Sequence, residues 1–300
     1  MSDALLDLAV REFQLDIDPW AAGARQPENG RSGSECIRVR RAGVPCVLKL
    51  TQTRGANGDA VAAARRELAF YRQVAPHLDV RTPPLVGAIE AGLGIALLTG
   101  DAGTTSSASR WSANAWADLG RQVARLHSAT APDLVLFHRP DPLAAAATAE
   151  GLDRAQAFWI SAPWCSHIPA LAARWRRALA AGPATLCHGD LHTGNVTLSA
   201  DGSRATLLDW QECGFGSPWW DLAFVSVRAV PQGVRAPRAF LEAYAAARGI
   251  SPSSFERAVC ELELAAYVLL WPPYARHNSK AGVARVRTRA TELAELLALG

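Results

Sequence analysis

The sequence predicts an α+β protein: an antiparallel sheet with one helix early in the chain, then a larger and mostly helical remainder. Three observations carry that expectation. Short apolar runs joined by turn residues crowd the first hundred positions, helical periodicity takes over after residue 110, and one apolar hairpin interrupts the helices near residue 200.

Taken in order, "MSDALLDLAVREF" reads as an amphipathic helix. Asp3 and Asp7 stand where a secretory leader would carry positive charge, so the cytoplasm is the expected compartment. "ECIRVR", the turn "RAG" and "VPCVLKL" form a predicted β-hairpin. "DAVAAARRELAFYRQV" is a predicted helix with Val61, Ala64, Leu68 and Tyr71 on one stripe. "LVGAIEAG" and "GIALLTG" are two further strands, joined around Gly92 to Gly94. The small, polar, breaker-rich "GDAGTTSSAS" is a connector. These boundaries give a first lobe over residues 1–99, a linker over 100–109 and a helical lobe over 110–300.

In the second lobe, "WSANAWADLGRQVARLHSAT" is a helix with Trp116, Leu119, Val123 and Leu126 as its buried stripe. Two more helices fall within residues 141–181, broken near "SAPWCSHIP", and helices return at about 236–248, 253–270 and 281–299. No solenoid period is present.

The totals exclude several function classes. A net charge of +3 over 300 residues, without a basic stripe, argues against nucleic acid as a partner. No apolar run reaches the roughly 18 residues that a membrane span needs. Cys36, Cys46, Cys165, Cys187, Cys213 and Cys260 make no C-x-x-C pair and read as buried, reduced thiols.

The chemistry gathers in "LCHGDLHTGNVTLSADGSRATLLDW", Leu186 to Trp210. "VTL" and "ATLLDW" flank "SADGSR", whose Asp-Gly is a hairpin turn signal. Asn195 precedes the first strand and Asp209 ends the second, so antiparallel pairing would return both to one open end. Magnesium takes oxygen ligands, keeps waters and often needs only one or two protein groups besides substrate phosphates. Asn195 and Asp209 are the predicted metal ligands. Asp190 is then free to orient an acceptor hydroxyl and take its proton, and D-x-x-x-x-N is the spacing of a kinase catalytic loop. His188 and His192 are also spaced for a helical zinc pair, but two glycines and a following strand argue against helix, and no third soft ligand is evident. The alternative is that His188 is a buried, hydrogen-bonded post, with His192 either packed or at the acceptor mouth.

Phosphoryl transfer also needs a cation on the donor. Lys49 lies on a predicted strand and Glu67 beside the buried stripe of the next helix, the lysine–glutamate pair that holds α- and β-phosphates in kinases. The rival partners of Glu67 are Arg65 and Arg66 on its own helix. "ENGRSGSEC", with Gly30 and Gly33, serves equally as a turn or as a phosphate cradle.

"HGDLHTGNV" followed by "LLDWQECGFGSPWWDLAF" resembles the signature of the aminoglycoside phosphotransferase and choline kinase family. The resemblance implies a protein-kinase-like two-lobed fold, with nucleotide in the first lobe and acceptor in the second. It implies Asp190 as catalytic base, Asn195 and Asp209 on Mg2+, and Asp221 as a structural brace. It places "ALLTGDAG" at the interlobe hinge, with Leu98, Thr99 and Asp101 at the base of ATP or GTP. Thr193 stands where many relatives have proline, and "LLTGD" lacks the usual acidic hinge pattern.

The acceptor is less defined. Polycationic aminoglycosides call for an acidic pocket, yet Cys187 to Gly300 holds 11 acidic against 11 basic residues. Arg276, Lys280, Arg285, Arg287 and Arg289 form a run without acids, read as a solvated helix face or as contacts for a neutral or anionic acceptor. Trp159, Trp164, Trp219, Trp220 and Trp271 are core residues or platforms for a sugar, nucleoside or quaternary amine. The expectation is an ATP- or GTP-dependent, magnesium-dependent phosphotransferase, monomeric or homodimeric. Its first-choice acceptor is a hydroxyl of a sugar- or nucleoside-containing antibiotic. Alternatives are a metabolite kinase for choline, a sugar or another small alcohol, an inactive kinase-fold nucleotide-binding protein, and a zinc hydrolase.

Overall fold

A computed structural model describes residues 4–16, 25–26, 34–53, 58–130, 132, 135–138, 143–144, 146–180, 184–235 and 237–298. Gly30 and Gly33 lie outside the described residues. The chain divides into two compact units. The first comprises Met1–Gly103, Pro132–Phe137 and Thr206–Cys213; the second comprises Thr104–Ala131, His138–Ala205 and Gly214–Gly300.

The first unit is built on α1 (Ala4–Phe13), β1 (Leu15–Asp16), β2 (Arg25–Gln26), β3 (Glu35–Arg41), β4 (Val44–Gln52), α2 (Gly58–Ala69), β5 (Leu85–Ala91) and β6 (Gly94–Gly100). Its strands form one antiparallel sheet in the order β1-β3-β4-β6-β5, with β2 also paired to β3. Alternation along β4 decides what faces where. Cys46, Leu48 and Leu50 are buried with Leu5, Leu6, Ala9 and Phe13 of α1, so the apolar stripe of α1 covers that face. Lys49 projects to the other face. The predicted helix is present, continuing past Ala69 as a π-turn over Phe70–Val74. Its buried stripe is Ala60, Ala63, Ala64, Glu67, Leu68, Phe70 and Tyr71, with Val61 only half-buried, so Glu67 sits within the apolar face and not at its edge.

The second unit holds α3 (Ala113–Ser128), α4 (Ala149–Phe158), α5 (Ile168–Ala180), β7 (Thr185–Cys187) and β8 (Val196–Leu198). The hairpin then turns, Ser199 N–H donating to the Arg204 carbonyl, into β9 (Ala205–Leu207), where the chain leaves this unit. It returns as β10 (Gly214–Gly216), which pairs with β7, and continues through α6 (Pro218–Ala229), α7 (Arg238–Arg248), α8 (Glu256–Ala265) and α9 (Lys280–Leu296). α3 begins at Ser112, whose hydroxyl accepts the Ala115 N–H, and buries the expected Trp116, Leu119, Val123 and Leu126.

α6 has no counterpart in the sequence reading. It buries Trp220, Asp221, Leu222, Ala223, Val225, Ser226, Val227 and Ala229, nearly its whole circumference, so no amphipathic period marks it. β7 and β10 are three residues each, too short for a period-two signal. Among the described residues no helix is long and apolar enough to cross a membrane. All six cysteines are free; Cys46, Cys187 and Cys213 are buried and the other three half-buried.

Candidate active site

In the first unit, three predicted residues meet. Lys49 Nζ lies 2.8 Å from Glu67 Oε2 and 2.7 Å from Asp209 Oδ1. The strand aims the lysine off the apolar face, and α2 supplies the glutamate that meets it. Neither Arg65 nor Arg66 takes Glu67. Arg65 pairs with Glu90, and Arg66 donates to the carbonyls of Leu136 and Gln211. Burial alone would push the Lys49 ammonium down, but the two carboxylates outweigh it and hold its pKa well above the ordinary value. Burial pushes the Glu67 carboxyl up, against the pull of Lys49.

Asp209 lies two residues beyond β9 in the left-handed region, φ 59°. Such a conformation persists in a non-glycine residue only where its surroundings over-determine it. Here the next residue is clamped. The Trp210 ring stacks on Phe70 at 3.8 Å, its indole N–H donates to Thr82 Oγ1 at 2.8 Å, and its backbone N–H donates to Glu67 Oε1 at 3.3 Å. Arg66 holds the Gln211 carbonyl one position later, at 2.6 Å. The sequence reading missed this clamp, because a stacked ring pair from distant segments leaves no spacing signal.

In the second unit, Asp190 and Asn195 meet. The Asn195 amide donates to the Asp190 carbonyl at 2.9 Å and to Asp190 Oδ2 at 3.1 Å. The loop is braced from α6. Asp221, fully buried, accepts the backbone N–H of His188 at 2.7 Å and that of Gly189 at 2.8 Å. Gly189 sits at φ +84°, a conformation side chains rarely adopt, and its carbonyl accepts the Trp220 indole N–H. Behind Asp221, His127 Nε2 lies 3.1 Å from Oδ2, and His127 Nδ1 lies 3.1 Å from the Tyr244 hydroxyl. An ionised carboxylate only accepts, so Nε2 carries the proton and Nδ1 accepts from Tyr244. Burial would raise the Asp221 carboxyl, but the hydrogen bond from His127 and the Gly189 N–H hold it below the usual range. His127 and Tyr244 went unremarked in the sequence, since both lie on ordinary helical periodicity.

Asp190 also stays ionised. Burial pushes its carboxyl up; the hydrogen bond and charge of His192, then Arg228 and His188, pull it below the ordinary value. His188 is buried, as a structural post should be, and its Nδ1 accepts the Asp190 N–H. His188 and His192 build no zinc site. Among the described residues the one group of three metal-capable side chains is His127, Cys187 and Asp221, and Asp221 there already accepts two backbone N–H groups.

The residues predicted for magnesium fit it by donor chemistry. Asn195 donates through nitrogen, and its Oδ1 makes no hydrogen bond among the described residues. Asp209 has a half-buried carboxylate of which one oxygen meets Lys49. Both offer hard oxygens.

The stretch expected at the nucleotide base is the end of β6 and beyond. Leu98 is buried opposite Leu48, Thr99 pairs with Val47, and the Asp101 carboxylate meets Arg38 at 3.4 Å and the Gly103 N–H at 2.8 Å. For the acceptor, Trp159, Trp164, Trp220 and Trp271 are core, while Trp219 is half-buried and stacks on Phe255. In the basic run Arg276, Lys280, Arg285 and Arg287 are exposed, as a solvated face requires, while Arg289 forms a two-pronged pair with buried Glu263, Arg285 holds the Pro231 carbonyl, and Arg287 lies over the Phe158 ring.

The sequence profile described as "Phosphotransferase enzyme family" matches residues 23–261. No curated protein matches the sequence. Among solved structures the chain is similar to a microcompartment-associated aminopropanol kinase, with 16% identity, TM-score 0.64, and coverage of 100% of this chain and 99% of that one. It is similar to macrolide 2'-phosphotransferase MphH from Brachybacterium faecium, with 26% identity, TM-score 0.55, and coverage of 97% and 98%. It is also similar to aminoglycoside phosphotransferase APH(3'')-Id from Streptomyces rimosus in complex with ADP and streptomycin, with 20% identity, TM-score 0.51, and coverage of 88% and 99%.

Proposed function

From the premise that this chain belongs to the phosphotransferase enzyme family and is a small-molecule kinase, we propose that it transfers the γ-phosphoryl group of ATP or GTP to a hydroxyl of a small molecule. A sugar- or nucleoside-containing antibiotic is the first candidate acceptor. A metabolite alcohol is the second. The observation that carries the reading is the ion triad of Lys49, Glu67 and Asp209, matched by an Asp190 carboxylate already bonded to Asn195.

In this reading Lys49, fixed by Glu67, donates to the donor phosphates. Asn195 and Asp209 hold the magnesium ion, which when bound offsets the charge that gathers on the transferring phosphoryl oxygens. Leu98, Thr99 and Asp101 carry the base of the nucleotide. Asp190 orients the acceptor hydroxyl through one carboxylate oxygen. As the new O–P bond forms and the bond to the leaving diphosphate breaks, Asp190 receives the hydroxyl proton. Its lowered pKa keeps it a carboxylate at neutral pH, ready to accept.

The test is phosphoryl transfer from magnesium-ATP and magnesium-GTP to a panel of hydroxyl antibiotics, sugars and amino alcohols, with Asp190→Ala as control. Asp190-dependent transfer to at least one acceptor supports the proposal. Nucleotide binding with no transfer, or transfer unchanged in Asp190→Ala, would remove it.

A further inference from the structure

Near Asp190 stands a cation that forms no ion pair with a carboxylate among the described residues. Arg228, near the end of α6, is exposed, and its Nη2 lies 3.5 Å from His192 Nε2. His192 Nε2 in turn lies 3.5 Å from Asp190 Oδ2. The tautomer of His192 settles what the arginine can do there. Its Nδ1 accepts the Gly194 N–H at 3.0 Å, so in the neutral ring the proton sits on Nε2 and points at an acceptor. Asp190 is that acceptor. The Arg228 guanidinium therefore meets a donor and not a lone pair, and its forked N–H groups find no carboxylate among the described residues.

Six acids of the same unit are already matched. Glu242 pairs with Arg238, Glu261 with Arg174, Glu263 with Arg289 and Glu292 with Arg235. Asp201 is bonded within the hairpin turn and Asp221 within the loop brace. A polycationic acceptor needs unpaired carboxylates, and beside Asp190 it would meet Arg228 instead.

We propose that Arg228, set beside His192, determines acceptor specificity by receiving an anionic group, a carboxylate or phosphate, carried on the same molecule as the reacting hydroxyl. An arginine fork suits either oxyanion, because both present two oxygens at matching spacing. The proposal rests on the kinase reading of Asp190 and deepens it by naming the charge class of the substrate.

Three probes of one ring size test it: glucuronate, glucose and glucosamine, with magnesium-ATP, in the wild type, Arg228→Gln and Arg228→Glu. In the wild type, kcat/KM for glucuronate should exceed that for glucose by roughly tenfold or more, the size of one hydrogen bond to a charged group, with the difference carried in KM. The advantage should vanish in Arg228→Gln and invert toward glucosamine in Arg228→Glu. A wild-type preference for glucosamine, or an order unchanged in Arg228→Glu, overturns the proposal. If no probe is turned over, saturation-transfer NMR on the same three compounds reads the ordering from binding. Absence of a glucuronate signal, or one that persists in Arg228→Glu, overturns it equally. Failure of the kinase reading looks different: a charge order in binding with no Asp190-dependent transfer to any acceptor.

Discussion

Asp221 Oδ2 accepts the backbone N–H of His188 at 2.7 Å, so a buried residue of α6 fixes the chain two positions ahead of Asp190. Replacing Asp221 by asparagine puts an amide N–H against a backbone N–H and strips the charge that His127 meets. Losing a buried hydrogen bond to a charged acceptor costs about 1.5–3 kcal/mol, and kcat should fall with the loss of loop geometry. The pH dependence has a definite sign. The folded carboxyl is lowered, so its contribution is complete above the unfolded value near ~3.9 and is lost as pH falls through the folded value. Urea melts from pH 7 down to pH 2 should show an acid decline that is shallower in Asp221→Asn.

Asp190→Asn keeps size and removes the proton acceptor. A kcat loss of about 10²–10⁴-fold is expected, with the thermal midpoint within a few degrees of wild type. Single-turnover kinetics check it. A kcat within threefold of wild type would mean that Asp190 does not act as base.

Lys49→Met leaves Glu67 and Asp209 facing each other without their cation. Stability should fall by about 3–5 kcal/mol. Adding Glu67→Gln should restore part of it, since it removes the more deeply buried of the two carboxylates left without a cation, and a double-mutant cycle in urea measures that coupling. The KM for the nucleotide should rise in both variants, with no rescue.

Gly194→Ala separates positioning from folding. A Cβ at Gly194 would stand 2.8 Å from the His192 ring, which must swing off Asp190. The rate should fall several-fold while the melting midpoint shifts little, because the ring is displaced without deleting any buried apolar group. An unchanged kcat would show that His192 does not hold Asp190.

Much of this site was legible because its residues are named by spacing. Lys49 follows from strand alternation, Glu67 from its place beside a helical stripe, and Asp190 with Asn195 from an interval of five. What was not legible depends on contacts between segments far apart in the chain. α6 is apolar almost all round, so its period is hidden. The Trp210–Phe70 stack and the Asp221–His127–Tyr244 chain join residues 94 to 140 positions apart. The tryptophans that suggested a stacking platform are mostly core, because ring size is equally suited to both uses. Arg228 was invisible for the opposite reason: an exposed arginine on a helix is ordinary until its neighbour proves to be a donor.

The proposed function assigns Asn195 and Asp209 to a single metal–nucleotide. Manganese-ATP titrations followed by electron paramagnetic resonance, in the wild type, Asn195→Ala, Asp209→Asn and the double variant, test it most directly. Each single variant should weaken binding by at least about tenfold, and the double variant should lose less than the sum of the two, as ligands of one ion do. Wild-type affinity in Asn195→Ala, or strictly additive losses, would contradict a shared site.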